Sequence, residues 1–227
     1  MDGVVVKTSL AFWNKVLKQY PWVDRRKFEL MAQGDVDAAI HLATDLPDPE
    51  RANLVLWVFV RDHSPAVRRA VLSFAWEKDH RYVLQAAGPA ETLLNWFRMA
   101  DFPTDHLPER LTVWRGTRSP SSMVDVQRYS RGISWTLDKG LAAWFACRNH
   151  PYDPILDGYS PVLLRREVSR DEVLYFSDDR GESEVILCPG FGEVDGDYDQ
   201  WQQLFQIHCE KIGAEMKAER SRSLVSC

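Results

Sequence analysis

The chain has 227 residues, 45% of them hydrophobic and 27% charged, an ordinary globular composition long enough to bury a core without staples. Collagen, coiled coil and disorder are excluded, and the longest unbroken apolar run, Leu54 to Val60, falls far short of the roughly 20 residues that cross a bilayer. A net charge of −5 carries no overall electrostatic footprint for nucleic acid, and four scattered cysteines (Cys147, Cys188, Cys209, Cys227) without CxxC or His spacing read as free thiols rather than a disulfide or zinc framework.

The first hundred residues read as capped helices. Ser9 precedes Leu10, Phe12, Trp13, Val16 and Leu17, a helical apolar face that closes before Pro21. A second helix runs from Asp24 to Gly34, and a third starts at Asp35. Asp48-Pro49 and Ser64-Pro65 each read as an N-cap followed by proline at the first helical position. The helix after Asp48 carries the apolar run, so burial on most sides is expected. The helix after Ser64 places Val67, Val71, Phe74 and Ala75 on one stripe, and a last helix spans Pro89 to Met99. The aromatics Trp13, Trp22, Trp57, Trp76 and Trp96 are read mainly as core, with partner binding as the sharper alternative.

From Leu107 the texture changes to short strands: Leu111–Arg115, Val162–Val168, Val173–Phe176 and Glu184–Leu187, the last ending in a Cys188-Pro189-Gly190 turn. Asp138 caps a short helix bearing Leu141, Ala142, Trp144 and Phe145. A final amphipathic helix begins at Asp199, with Trp201, Leu204, Phe205, His208 and Ile212 on one face. Helices followed by strands predict an α+β fold. The expected division is a helical lobe over 1–106 and a catalytic core with a C-terminal helix over 107–227.

Several motifs fail on their own chemistry. Asp195-Gly-Asp197-Tyr-Asp199 begins like a calcium loop, but Gln200 and Gln206 stand where such a loop needs Gly and a bidentate Glu. Gly190-Phe-Gly192 lacks the third glycine of a dinucleotide fingerprint. Asp62-His63-Ser64 lists triad letters, yet a triad is assembled in space, and Ser64 is better used as a cap.

Three strand-associated pieces remain. Arg115 ends a strand and is followed by Gly116, which lets a ligand approach the backbone, so the guanidinium can grip a phosphate bidentately. Ser134 and Thr136 alternate onto one strand face. Glu182 and Glu184 share a face at a strand start, where paired carboxylates are costly unless they do chemistry or bind a cation. The bland alternatives are a structural arginine, solvent-facing strand hydroxyls and a solvated strand entry.

In these residues the chain resembles the R-S-E class of mono-ADP-ribosyltransferases, the arginine-type, clostridial binary toxin-like group. Arg115, Ser134-Trp-Thr136 and Glu182-Ser-Glu184 follow in that family's order, and the resemblance covers about residues 107–190. It implies a mixed β-sandwich core with NAD, as co-substrate, in a cleft between two small sheets, and no metal. By the same resemblance Arg115 anchors an NAD phosphate, the Gly116 backbone meets the nicotinamide amide, Ser134 positions Glu184, and Thr136 supports the strand. Glu184 holds the ribose and stabilises the positive charge left when nicotinamide departs. Glu182 orients or deprotonates the acceptor. Tyr152 or Tyr159 supplies an aromatic against nicotinamide, Trp135 and Trp144 are expected in the core, and residues 176–182 form the acceptor-recognising turn.

Ten acidic residues and one basic residue, Arg180, lie between Asp171 and Asp199. That field favours a cationic acceptor, a protein arginine, over a nucleic-acid base. Arg165, Arg166 and Arg170 as a separate basic strip are the counter-argument. The expected activity is therefore transfer of ADP-ribose to a macromolecule by a toxin or effector. The alternatives are an NAD glycohydrolase on the same fold and a non-enzymatic interaction protein. With no basic leader and no small-residue cleavage site at the N-terminus, a cytoplasmic protein is expected, without a membrane partner, and an inhibitor or antitoxin protein is the expected partner of a toxin acting where it is made.

Overall fold

The structure, a computed structural model, describes residues 13–119, 132–148, 159–178 and 181–225, with side chains to residue 218. The expected start of the first helix at Ser9, together with Tyr152, Arg180 and Cys227, lies outside these residues. Contacts divide the chain into two compact units, Met1–Phe102 and Pro103–Cys227.

The first unit is helical: α1 (13–19), α2 (Arg25–Ala32), α3 (Val36–Asp45), α4 (Asp48–Val60), α5 (Pro65–Ala87) and α6 (Ala90–Ala100). Its caps follow the sequence signals. The side chains of Asp24, Asp35 and Ser64 accept from the backbone N–H groups of Arg26, Ala38 and Val67. Asp48 is a correction, because the helix begins at Asp48 itself and Pro47 is the N-cap. The Asp48 carboxylate is instead engaged by Arg51, whose buried guanidinium also donates to the carbonyls of Ala43 and Leu46, each at 2.7 Å. One arginine thus satisfies carbonyls at the end of α3 that have no intrahelical partner. Leu54, Val55, Val58 and Phe59 are buried, but Leu56 and Val60 are exposed, so α4 keeps one open face. Of the five tryptophans, Trp13, Trp76 and Trp96 are core and Trp22 is 63% exposed. Periodicity gave no sign of a break within α5, yet Asp79 leaves helical geometry (φ −156°, ψ 89°) and its carboxylate accepts from Arg81 N and Nε at 3.0 and 2.9 Å.

The second unit contains β1 (Arg110–Ser119), β2 (Ser134–Thr136), α7 (Lys139–Cys147), β3 (Ser160–Ser169), a 3₁₀ turn, β4 (Val173–Ser177), β5 (Glu184–Leu187), β6 (Glu193–Val194) and α8 (Tyr198–Val225). The molecule is therefore mixed α and β. All six strands belong to one antiparallel sheet in the order β4-β5-β2-β1-β3-β6. This replaces the expected pair of small sheets: hydrogen bonding between β1 and β2 joins the two halves into a continuous ladder.

Each face of that sheet has its own core. Leu111, Val113, Trp135, Leu164, Val185 and Leu187 bury together on one face. On the other, Leu163 packs with Ala142, Ala146 and Trp201 from α7 and α8, and Trp114, Leu204 and Phe205 close around them. Cys188–Gly192 is a crossover rather than a tight turn, since it links β5 near one edge to β6 at the other. Four strand spacings are about 19 Å, which so short a segment spans only when it runs nearly extended. Arg166 pins the crossover by donating to the Cys188 carbonyl at 3.1 Å. Glycine is obligatory in the crossover at Gly192, where an added Cβ would lie 2.8 Å from the Trp135 ring.

Candidate functional site

The three sequence pieces converge on the middle of the sheet. Thr136 faces Glu184 across the β2–β5 ladder, and Ser134 lies two residues along the same face. Ser134 Oγ donates to Glu184 Oε1 at 2.6 Å, joining residues fifty apart in the chain. This is a short charge-assisted hydrogen bond that fixes the carboxylate rotamer.

Arg115 lies within β1 rather than at a strand end, because β1 continues pairing with β3 to Ser119. It follows Leu111 and Val113 in the alternation, so it extends the core row on the face opposite Ser134, Thr136 and Glu184. Its guanidinium ends that row beneath Gly132 and donates to the Ser134 carbonyl. A Cβ on Gly132 would lie 2.0 Å from the Arg115 Cζ, so glycine at 132 is what leaves room for the charge. Burial pushes the Arg115 pKa down, and the Glu184 carboxylate acts in the opposite direction. Arg115 Nε is buried and makes no hydrogen bond among the described residues.

Gly116 needs a different explanation from the one its sequence context offers. A Cβ there would sit 1.8 Å from the Ala142 carbonyl oxygen and 2.6 Å from the Ala146 nitrogen. The space expected to admit a ligand is filled by the backbone of α7. Glycine is present because the helix lies directly on the strand.

Thr136 is buried and braces the acidic turn: its hydroxyl donates to the Glu182 carbonyl at 2.6 Å and accepts from Asp138 N at 3.0 Å. Asp138 caps α7 through Leu141 N, as its position predicts. The Glu182/Glu184 pair departs from a simple strand entry. β5 starts at Glu184, Glu182 precedes it, and Ser183 between them has φ +43°. The period-two alternation is broken there, so the two carboxylates are set by different backbone geometry.

Arg148, just past α7, carries no sequence motif. Its guanidinium lies 4.5 Å from the centroids of both Trp144 and Phe145. Trp144 is thus a platform for a cation as well as a packing residue. Burial lowers the Arg148 pKa, the Glu182 charge opposes that, and Arg148 Nε is buried without a hydrogen bond among the described residues. The only sequence signal was the adjacent Trp144-Phe145 pair ahead of an arginine.

The supposed basic strip is dispersed. Arg165 pairs with Glu167, Arg166 with Glu172 and the crossover carbonyl, and Arg170 donates to the carbonyls of Asp105 and Leu107. The acidic run is likewise partly structural. Asp195 Oδ2 accepts from Trp114 Nε1 and Lys139 Nζ, each at 2.9 Å, and Asp197 caps α8 through Gln200 N. Asp195 has a lowered pKa: burial alone would raise it, but the bonds from Lys139 and Trp114 outweigh that.

Among the described residues, Cys147, Cys188 and Cys209 are free thiols, and no group of three or more His, Cys, Asp or Glu is arranged to hold a metal ion. No described helix is long and apolar enough to cross a membrane. Comparison with protein-family models, curated proteins and solved structures finds no match to this chain.

Proposed function

We propose that this protein is a mono-ADP-ribosyltransferase of the R-S-E type, taking ADP-ribose from NAD to a macromolecular acceptor. The observation that carries this reading is the Ser134–Glu184 hydrogen bond at 2.6 Å, with the buried Arg115 guanidinium bonded to the Ser134 carbonyl. Loss of nicotinamide from NAD builds positive charge at the ribose, and a preplaced carboxylate stabilises charge where it develops. Ser134 holds Glu184 in one orientation, so little reorganisation accompanies the step. On this reading the Arg115 guanidinium is the cation that grips an NAD phosphate. Nicotinamide leaves as a neutral molecule, carrying the electron pair of the broken bond.

Glu182 is the residue assigned to the acceptor. The acidic excess of residues 171–199, ten acidic side chains to one basic, favours a protein arginine over a nucleic-acid base. The toxin or effector role, acting in the cytoplasm and restrained by an inhibitor protein, belongs to the same proposal. Labelled NAD added to a whole-cell lysate tests it. Macromolecule-bound label that requires Glu184 and is released by protease is the expected result. Label released by nuclease would reassign the acceptor. Free ADP-ribose alone would mark a glycohydrolase.

A further inference from the structure

Ser183 combines two features that packing of the hairpin does not demand. It is one of two non-glycine residues with positive φ among the described residues, at +43°, a conformation that an L side chain disfavours. It also sits between the two carboxylates of the site. Such strain persists only where surrounding bonds over-determine it. Here they do. Ser183 Oγ donates to Asp178 Oδ1 at 2.7 Å across the turn, Leu137 N donates to the Ser183 carbonyl at 3.0 Å, and Thr136 Oγ1 holds the preceding carbonyl of Glu182. Gly181, on the other side of Glu182, is left-handed as well, with φ +64° and its N–H bonded to the Asp178 carbonyl at 2.9 Å. Glu182 is therefore bracketed by two left-handed residues, and Asp178 ties both of them.

We infer that the Asp178–Ser183 bond is a positioning device: it sets the direction of Glu182 independently of Glu184 and so decides how ADP-ribose is divided between a macromolecular acceptor and water. The inference rests on the transferase reading. In the step concerned, the C1′–N bond to nicotinamide breaks with its electron pair going to nicotinamide. A lone pair of the acceptor nitrogen or of water forms the new bond to C1′, and the proton that nucleophile loses passes to Glu182. Cleavage depends on Glu184, which Ser134 holds from the other strand. The choice of nucleophile depends on Glu182, whose backbone the strained turn and the Thr136 hydroxyl set.

The test measures, in whole-cell lysate with labelled NAD, acid-precipitable label against free ADP-ribose, together with total nicotinamide release. Ser183→Ala and Asp178→Ala are each expected to lower the bound-to-free ratio about tenfold while nicotinamide release stays within about twofold. Asp178→Asn keeps an oxygen acceptor for the Ser183 hydroxyl and is expected to retain the wild-type ratio. Ser183→Gly relieves the backbone strain, removes the bond and is expected to behave as Ser183→Ala, which keeps the test open if the alanine variant folds poorly. A ratio unchanged in all three bond-deleting variants, with total release falling in step with folded protein, overturns the positioning role alone. A wild type that yields only free ADP-ribose marks a glycohydrolase and overturns the transferase reading, and the positioning role with it. A wild type that releases no nicotinamide overturns the transferase reading itself.

Discussion

Two glycines next to the site separate its chemistry from its architecture. At Gly132 an added methyl meets only the far end of the Arg115 side chain. Gly132→Ala is therefore expected to displace the guanidinium, cutting nicotinamide release at least about tenfold with a small loss of stability, as activity assay and thermal unfolding will show. At Gly116 the methyl meets helix backbone, which cannot step aside. Gly116→Ala is expected to cost about 3 kcal/mol or more of stability, read from chemical denaturation, whatever happens to activity. A Gly132→Ala protein with full activity would mean that Arg115 is only structural. Ser134, Thr136 and Glu184 were legible as candidates because each is a polar residue at a strand position with a neighbour of matching chemistry, whereas the close helix over Gly116 was not. Arg148 was not, since its platform of Trp144 and Phe145 looks like any amphipathic helix end, and Ser183 was not, since no sequence pattern announces a left-handed serine.

At the scale of elements, hydrophobic periodicity and caps located α2 to α8 and the four longer strands to within a few residues. The two-residue β6 escaped because so short a strand has no periodicity to read. The pairing of strands escaped for a different reason: order within a sheet depends on long-range contacts that no local window contains. The acidic run after β6 fails as a calcium loop, and the structure gives two of its members work in the fold. Asp195 links Trp114 of β1, Lys139 at the start of α7 and the entry to α8. Its folded pKa is depressed, so its contribution is fully present above the unfolded carboxylate pKa and is lost as pH falls through the lower folded value. Asp195→Asn is accordingly expected to cost about 1 kcal/mol near neutral pH, and the gap to wild type should close as the pH drops below about 4. An equal gap at both pH values in urea titrations would mean that the carboxylate charge contributes nothing.

On the scale of the whole molecule, the chain divides into two compact units, and every residue assigned to the site lies within 103–227. A fragment of residues 103–227 is therefore expected to unfold cooperatively and to release nicotinamide from NAD. A fragment that stays unfolded would show that the sheet needs the helical unit. The α+β class and the change of texture near residue 107 were visible in the sequence because α-helices and β-strands have different hydrophobic periods. That the sheet is one continuous ladder, with a five-residue crossover linking strands four places apart, was not, because strand order rests on long-range pairing.

The central claim is that Glu184, oriented by Ser134, is the carboxylate that drives cleavage of NAD. The direct measurement is nicotinamide release from purified protein, comparing wild type with Glu184→Gln, with matched thermal unfolding as the control for folding. The account predicts release by wild type and at least about a hundredfold loss in Glu184→Gln at unchanged stability. Equal release by both proteins, or none by either, would contradict it.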